Sequence, residues 1–301
     1  MRPGHRVGYL FMLPAILLTA TIFIYPFYQA VETSLQRHIL YRPDRIGFIG
    51  FDNYARLIFG DADFRQSVVL TAIFVVASVL LVLLLATFTS ALLLRAHVQH
   101  RRSGAGDRLQ LLLLLPFLMT PAVAGTVFRV FIWDYDTGIA NWLLRMIGLP
   151  AVEWLTSPPW AMTAVIFTEV WAHVPLAILV LYNAMKSVPR DPYEAAVIDG
   201  AGYWRQFTDI TLPYVRPQIV FIAIMQLTLS FRQFELIYLL TGGGPGSSTK
   251  VLTISIFETG MQDLNFGYGN AMGMLSLVLV GVVCTTIIMG FARTESVSWD
   301  K

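Results

Sequence analysis

The sequence predicts an all-α membrane protein with six transmembrane helices in one domain, residues 1–301. Hydrophobic residues make up 56% of the chain and charged residues only 13%, whereas soluble domains carry about 25% charged residues. In addition, the apolar runs reach the ~20 residues that a helix needs to cross a bilayer. Composition and run length therefore both place the chain among membrane proteins.

The apolar runs predict the spans in chain order. They cover residues 8–31, 67–94, 109–133, 161–184, 214–240 and 268–291. The first run follows Arg2, His5 and Arg6, as in a signal peptide, but it is too long for one and no small-residue cleavage pattern follows. We therefore predict that it is retained as a helix.

Lys and Arg residues predict the orientation of these spans. With the N-terminus inside, the inner segments hold twelve of them and the outer segments seven. Five of the outer seven lie in one long loop, residues 34–66, where Asp residues accompany them. Because cytoplasmic loops carry the excess of basic residues, we predict a multi-pass protein of the cell membrane, in contact with lipid, with both termini cytoplasmic.

A polar island, residues 189–212, separates the fourth and fifth spans on the predicted inner side. Asp191 suits an N-cap, Pro192 the first helical position, and Glu194 the third. Gly200 should end this short helix, and a second one should cover residues 203–211. The side chains of Ala195 and Ala196 are small, so this face is thin enough to enter a groove on another protein.

The island resembles the signature loop of permease subunits in binding-protein-dependent ABC importers. The matching residues have the family's order and spacing, and they are Glu194, Ala195, Ala196, Gly200, Ile210, Leu212 and Pro213; Asp199 lies beside Gly200. Residues 239–245, with their glycine run, resemble the maltose-type first subunit, in the carbohydrate branch that also includes glycerol-phosphate importers. Residues 114–117, 138–141 and 265–269 are similar to the same branch.

This resemblance implies a type I ABC importer permease fold whose cytoplasmic coupling helices dock on an ATPase. The implied assembly contains a second permease subunit in a heterodimer, an ATPase dimer and an extracytoplasmic substrate-binding protein. ATP and Mg²⁺ would then belong to the partner ATPase, and this chain would hold no cofactor. The predicted function is the import of a di- or oligosaccharide, with a glycerol-phosphate-type solute as the alternative.

Polar side chains inside the spans are the candidates for solute contact, because such groups are costly in a bilayer and usually face the bundle interior. In the maltose-type subunit, sugar contacts lie on the two helices that carry them. The candidates are Glu169, Trp171, His173, Gln226, Ser230 and Gln233. Two structural readings stay open: Arg232 and Glu235 pair with each other, and Gln and Ser hold helices together by hydrogen bonds.

Several other classes of function lack support in the sequence. Residues 242–250 do not follow the Gly-Lys-Ser/Thr order of a phosphate-binding loop, and the five histidines do not cluster with carboxylates at metal-ligand spacing. The net charge of +2 indicates no nucleic-acid partner, and Cys284 is the single cysteine. Two alternatives remain: an ion-coupled secondary transporter, for which no inverted repeat is evident, and a membrane enzyme that uses Glu169 and His173 as an acid–base pair.

Overall fold

The computed structural model describes residues 3–99 and 114–299, which are mostly helical. The chain divides into two compact units, one made of Met1–Gln66 with Ser255–Gly281 and the other of Ser67–Ile254 with Val282–Lys301. Helices α4, α14 and α15, defined below, each begin in one unit and end in the other.

The first unit combines two consecutive helices with a small ordered loop. Its elements are α1 (Pro3–Thr19), a π-helical turn (Ala20–Ile24), α2 (Tyr25–Ser34), β1 (Gln36–Arg37), a 3-10 turn (Pro43–Arg45), β2 (Gly47–Phe48), α3 (Asp52–Ala55) and a second π-helical turn (Arg56–Gly60). The two strands are antiparallel. The Asn53 amide nitrogen donates to the carbonyls of Ser34 (2.8 Å) and Gln36 (3.0 Å), which fixes the loop against the end of α2.

Asp61 joins two elements of this unit. One carboxylate oxygen accepts from the Phe64 amide at 2.9 Å, and the other accepts from the Tyr268 hydroxyl at 2.6 Å. Burial raises the pKa of Asp61, but the hydrogen bonds from Tyr268 and from backbone amides outweigh this, so the pKa lies below its ordinary value.

The remaining elements follow in chain order. They are α4 (Ala62–Gln99), α5 (Leu115–Leu118), α6 (Pro121–Val127), a π-helical turn (Phe128–Ile132), α7 (Ile139–Met146), α8 (Pro158–Lys186), α9 (Asp191–Ile198), α10 (Tyr203–Gln206), a π-helical turn (Phe207–Thr211), α11 (Leu212–Tyr214), α12 (Arg216–Phe231), α13 (Glu235–Leu240), α14 (Leu252–Phe257), a π-helical turn (Glu258–Gln262) and α15 (Phe266–Trp299).

The core of the second unit lies between α4, α8 and α12. Its buried side chains are Val82, Ala86, Leu93, Val170, Ala177, Ile178, Leu181, Tyr182, Met185, Val215 and Ile222. Ser90 Oγ also donates to the Ile178 carbonyl at 3.3 Å, a contact between α4 and α8. Helix α8 is therefore the central helix of the unit, and α12 packs beside it.

Within the described residues, four helical segments are long and apolar enough to span a membrane: Phe11–Ser34, Ala62–Arg95, Pro158–Lys186 and Phe266–Gly290. They correspond to the first, second, fourth and sixth predicted spans. Many of their apolar side chains are exposed, as at Phe11 (81%). Such surfaces suit lipid contact, because the hydrocarbon core is itself apolar.

The third and fifth predicted spans differ from single continuous helices. The third lies partly outside the described residues, and its described part consists of α5, α6 and a π-helical turn, interrupted between Leu118 and Pro121. At the start of the fifth predicted span, the helical segments Tyr203–Tyr214 and Arg216–Phe231 meet at a bend of 65°. Only the two segments taken together are long and apolar enough to count as one span. The sequence predicts six spans, whereas the described residues contain four helical segments that could cross a membrane, or five if the bent pair is counted as one.

The fifth span also stops between α12 and α13, at Arg232–Phe234. The backbone groups freed there have partners, since the Gln233 amide donates to the Ser230 carbonyl and Thr253 Oγ1 donates to the Gln233 carbonyl at 2.8 Å. Irregular backbone at membrane depth is tolerated when its polar groups are satisfied inside the protein.

Gly125 permits a close approach of α6 and α13. A Cβ atom at this position would lie 3.1 Å from the Leu236 carbonyl oxygen and 3.3 Å from Leu239 Cβ. Small residues allow helix backbones to pack tightly in membranes. This packing holds α13 directly after the interruption that carries Gln233.

Candidate functional site

The polar island forms two short helical segments in the second unit, which we call the helix pair (residues 191–214). Helix α9 begins at Asp191, and Arg190 occupies the N-cap without a side-chain cap hydrogen bond. The prediction of Asp191 as the N-cap was therefore wrong by one residue. Pro192 lies in the first turn, where its missing N–H costs nothing.

Gly200 ends α9 in a left-handed conformation, with φ +72°. The Ala201 amide donates to the Ala196 carbonyl at 2.8 Å, and the Gly200 amide donates to the Val197 carbonyl at 3.0 Å. These two hydrogen bonds are those of a Schellman motif, which favours glycine at this position. The sequence prediction that Gly200 ends the helix agrees with this geometry.

The second half of the pair is helical through residues 203–214, close to the predicted segment 203–211. Three contacts stabilise the pair. The Tyr193 hydroxyl lies 2.6 Å from Thr211 Oγ1 and joins the two halves of the pair. The Tyr203 hydroxyl donates to the Ala91 carbonyl at 3.1 Å, and the Arg95 guanidinium lies 5.3 Å from the centre of the Tyr203 ring. The pair is thus fixed to the end of α4.

The signature residues divide between two sides of the helix pair. Ala196, Ile210 and Leu212 are half-buried. The others are exposed, namely Glu194, Ala195, Asp199, Gly200 and Pro213. We call the exposed side of α9 and α10 the exposed face.

Large apolar side chains also lie on this exposed face. Val197 is 63% exposed, Ile198 87% and Trp204 66%. The face therefore combines a carboxylate, a thin Ala position and apolar groups, which suits the docking of another protein.

A second group of predicted site residues converges inside the unit, and we call it the Glu169 cluster. Ser230 Oγ donates to Glu169 Oε1 at 2.9 Å, and Gln233 Nε2 donates to Glu169 Oε2 at 2.8 Å. Gln226 Nε2 donates to Ser230 Oγ at 2.9 Å and makes a longer contact of 3.4 Å with Glu169 Oε1. Glu169, Gln226 and Ser230 are at most 1% exposed and Gln233 is 8% exposed. Helix α8 supplies the carboxylate, and α12 with the residues after it supplies the donors.

His173 closes one side of the Glu169 cluster. Its Nδ1 lies 2.9 Å from the Glu169 backbone carbonyl and 3.4 Å from Glu169 Oε1. A carbonyl oxygen only accepts hydrogen bonds, so Nδ1 carries the proton. The ring also makes an edge contact with Phe117, at 6.4 Å between centroids.

Trp171 does not join the cluster. Its ring packs on Phe128, with centroids 4.7 Å apart. Nearby, Trp133 Nε1 donates to Thr168 Oγ1 at 3.0 Å. The sequence reasoning missed Thr168 and Thr253 as neighbours of the cluster, and no spacing in the sequence singles out either residue.

The other polar candidates lie apart from the cluster. Arg232 and Glu235 are both exposed and form no ion pair within the parts of the chain that the structure describes, and the break after α12 lies between them. Among those same residues, no group of His, Cys, Asp and Glu is arranged to hold a metal ion.

Comparison with known proteins gives the family. The family described as "Binding-protein-dependent transport system inner membrane component" matches residues 7–294. The trehalose/maltose transport system permease protein MalF of Thermococcus litoralis is 32% identical over 276 residues, covering 91% of this chain and 90% of MalF. The sn-glycerol-3-phosphate transport system permease protein UgpA of Escherichia coli O157:H7 is also 32% identical, covering 98% and 97%.

A solved structure shares the fold. A chain of a bacterial ABC transporter involved in the import of the acidic polysaccharide alginate superposes with a TM-score of 0.80 at 23% identity, covering 95% of each chain. At this level of identity, the similarity concerns the fold alone.

Proposed function

The chain belongs to the family of inner membrane components of binding-protein-dependent transport systems, and on this premise we propose that it is the permease subunit of a sugar importer. The single observation that carries the proposal is the match along almost the whole chain to permeases of sugar transport systems such as MalF. The chain is a transport subunit rather than an enzyme, so a separate ATPase supplies the energy.

The helix pair is the proposed contact with that ATPase. Glu194, Ala195, Asp199 and Gly200 are exposed on it. The Tyr193–Thr211 contact joins its two halves, and the Tyr203–Ala91 contact holds it to the rest of the unit. A rigidly anchored pair transmits a displacement better than a flexible loop would. Val197, Ile198 and Trp204 add apolar area next to the signature residues, and such area supports a docked partner.

The proposed direction of coupling runs from the helix pair to the Glu169 cluster. The pair leads through Val215 into α12, which carries Gln226 and Ser230 to Glu169. Closure of an ATPase dimer on ATP and Mg²⁺ would shift the pair and so change how α12 packs on α8. This proposal assigns solute contact to Glu169, His173, Gln226, Ser230 and Gln233, with Trp171 on the adjacent aromatic surface.

The proposed assembly contains this chain, a second permease subunit, two ATPase subunits and an extracytoplasmic binding protein that delivers the solute. The multi-pass chain has, in this proposal, six spans, both termini in the cytoplasm and the helix pair on the cytoplasmic side. The lengths of Pro158–Lys186 and Ala62–Arg95, each sufficient to cross a membrane, support the multi-pass part of this proposal.

Charge reversal on the exposed face tests the proposal. In the complete assembly reconstituted in proteoliposomes, Glu194→Arg should abolish sugar uptake and remove the stimulation of ATPase activity by the binding protein. The side chain is exposed, so the permease should still insert and fold. Glu153→Arg, a matched change at an exposed residue outside the helix pair, should leave both activities unchanged. Normal uptake in the Glu194→Arg assembly would contradict the proposed coupling.

A further inference from the structure

Helix α7, in the loop between the third and fourth predicted spans, carries an apolar stripe that is exposed in the described structure. The stripe residues recur at intervals of three and four along the helix and just beyond it, so they share one face. They are between 49% and 71% exposed, and they are Ile139, Trp142, Leu143, Met146 and Ile147. A continuous apolar surface of this kind marks a site of contact with a partner or a membrane.

The polar side of α7 holds the helix in the loop. Asn141 is fully buried, and its amide nitrogen donates to the carbonyls of Tyr135 and Val152, both at 3.0 Å. Its Oδ1 accepts from the Val152 amide at 2.9 Å and from Trp154 Nε1 at 3.0 Å. Arg145, one turn later on the same side, donates to the Tyr135 carbonyl at 2.8 Å. Because these hydrogen bonds attach the helix through its polar side, the apolar stripe faces away from the loop.

Aromatic contacts place α7 at the level where the two neighbouring spans end. The Trp154 ring lies 5.1 Å from the ring of Trp133, directly after the third span, and 5.2 Å from the ring of Trp160, in the first turn of α8. Helix α7 also packs against the π-helical turn Phe128–Ile132. Tryptophan is enriched where a membrane meets water. A helix tied to the ends of two spans in this way lies at the membrane surface.

The apolar stripe continues the surface that the spans present to lipid. Phe131, in the turn against which α7 packs, is exposed, and so is Phe167, whose ring lies 5.4 Å from that of Trp133. A binding protein that dissociates between transport cycles would leave the stripe in water each time, whereas the bilayer is always present. Amphipathic helices with Trp and Leu on one face lie in the interface plane, with that face about 5–10 Å deep.

We propose that α7 is a membrane-anchoring helix that lies flat on the bilayer, with Trp142, Leu143 and Met146 inserted among the headgroups and upper acyl chains. The leaflet is the outer one in the topology proposed above, and only this detail rests on the proposed function. Since Asn141 joins α7 to Trp154, the anchor also ties the start of α8 to the membrane surface.

The test places a genetically encoded fluorescent amino acid in the complete assembly in proteoliposomes. It replaces Leu143 or Met146 in the stripe or, as the control, Glu153, an exposed residue of the same loop outside the stripe. The quenchers are iodide on both sides of the membrane and phosphatidylcholine with a nitroxide either near the headgroup or near the end of the acyl chain. Probes at 143 and 146 should emit at shorter wavelength than the probe at 153. They should also lose iodide quenching and be quenched most by the nitroxide near the headgroup.

Three results would overturn the inference. Iodide quenching at 143 or 146 equal to that at 153 would mean that the stripe faces water. Protection from iodide and from both nitroxide lipids would mean that another protein covers it, and stronger quenching by the deep nitroxide would place it inside the bilayer core.

A second measurement uses the unmodified chain, so it does not depend on how the probes are tolerated. Phosphatidylcholine with a photoreactive group near the headgroup should crosslink within residues 139–147, and the absence of such crosslinks would also overturn the inference. ATP-driven sugar uptake by the same vesicles tests the proposed function separately, so either can fail without the other.

Discussion

Substitutions at Gly200 separate two possible roles of this residue, namely the left-handed turn that ends α9 and contact with a partner protein. Its φ of +72° is left-handed, and a Cβ atom there would meet nothing within 4 Å in this chain. For Gly200→Ala, left-handed strain costs about 1–2 kcal/mol, and the lower entropy of the unfolded chain offsets about half of it. We therefore expect a loss of about 1 kcal/mol in unfolding free energy, measured as a small drop in Tm of the purified subunit.

Two comparison variants separate the effects. Gly200→Asn should lose less stability than Gly200→Ala, because asparagine enters the left-handed region more readily. Gly202→Ala should lose almost none, since Gly202 has φ −69° and open space around its Cβ position. If the partner lies close to Gly200, both Gly200 variants should lose ATPase coupling alike. Full coupling in Gly200→Asn would refute the close contact, and equal Tm values for Gly200→Ala and Gly202→Ala would refute the strain.

Two further variants test contacts inside the units, one variant in each unit. Gly125→Leu should lower the unfolding free energy by about 1–3 kcal/mol, because a Cβ atom there already lies 3.1 Å from the Leu236 carbonyl oxygen; an unchanged Tm would contradict the close approach of the helices. Tyr268→Phe removes the 2.6 Å hydrogen bond to Asp61 and should cost about 1–3 kcal/mol at neutral pH. Because the pKa of Asp61 is lowered, this loss should be full above its ordinary pKa and should shrink, toward that of a neutral hydrogen bond, as the pH falls through the lowered value; a loss of the same size in acid would contradict the assignment.

Helix positions followed from the sequence where the local signals were strong. The predicted fourth span, 161–184, lies inside Pro158–Lys186, because its apolar run is long and begins after two prolines. Likewise, Gly200 ends α9 because only glycine enters the left-handed region without strain. Local signals of this kind need no knowledge of the rest of the fold.

The interruption of the fifth span could not be predicted from its apolar run. It depends on Gln233, whose side chain donates to Glu169 and whose carbonyl accepts from Thr253. Both partners lie far from Gln233 in sequence, so the pattern of residues 214–240 contains no signal for the break. The suggested Arg232–Glu235 pair fails for the same reason, since it assumes a continuous helix.

The candidate site was predictable as a set of residues but not as a network. Spacing placed Gln226, Ser230 and Gln233 on one face, and Glu169 with His173 on another. Which side chain donates to which depends on how α12 packs against α8. Trp171 shows the limit of spacing, because its ring packs on Phe128 instead of joining the cluster.

Site-specific photo-crosslinking at position 195 tests the central claim most directly. Ala195 is exposed on the helix pair, and a photoreactive residue there should crosslink to the nucleotide-hydrolysing subunit of the assembled complex. The same probe at Phe167, which is 53% exposed in the outer half of the span Pro158–Lys186, should not reach that subunit. Crosslinks from position 195 to lipid alone, in an assembly that transports sugar, would contradict the account.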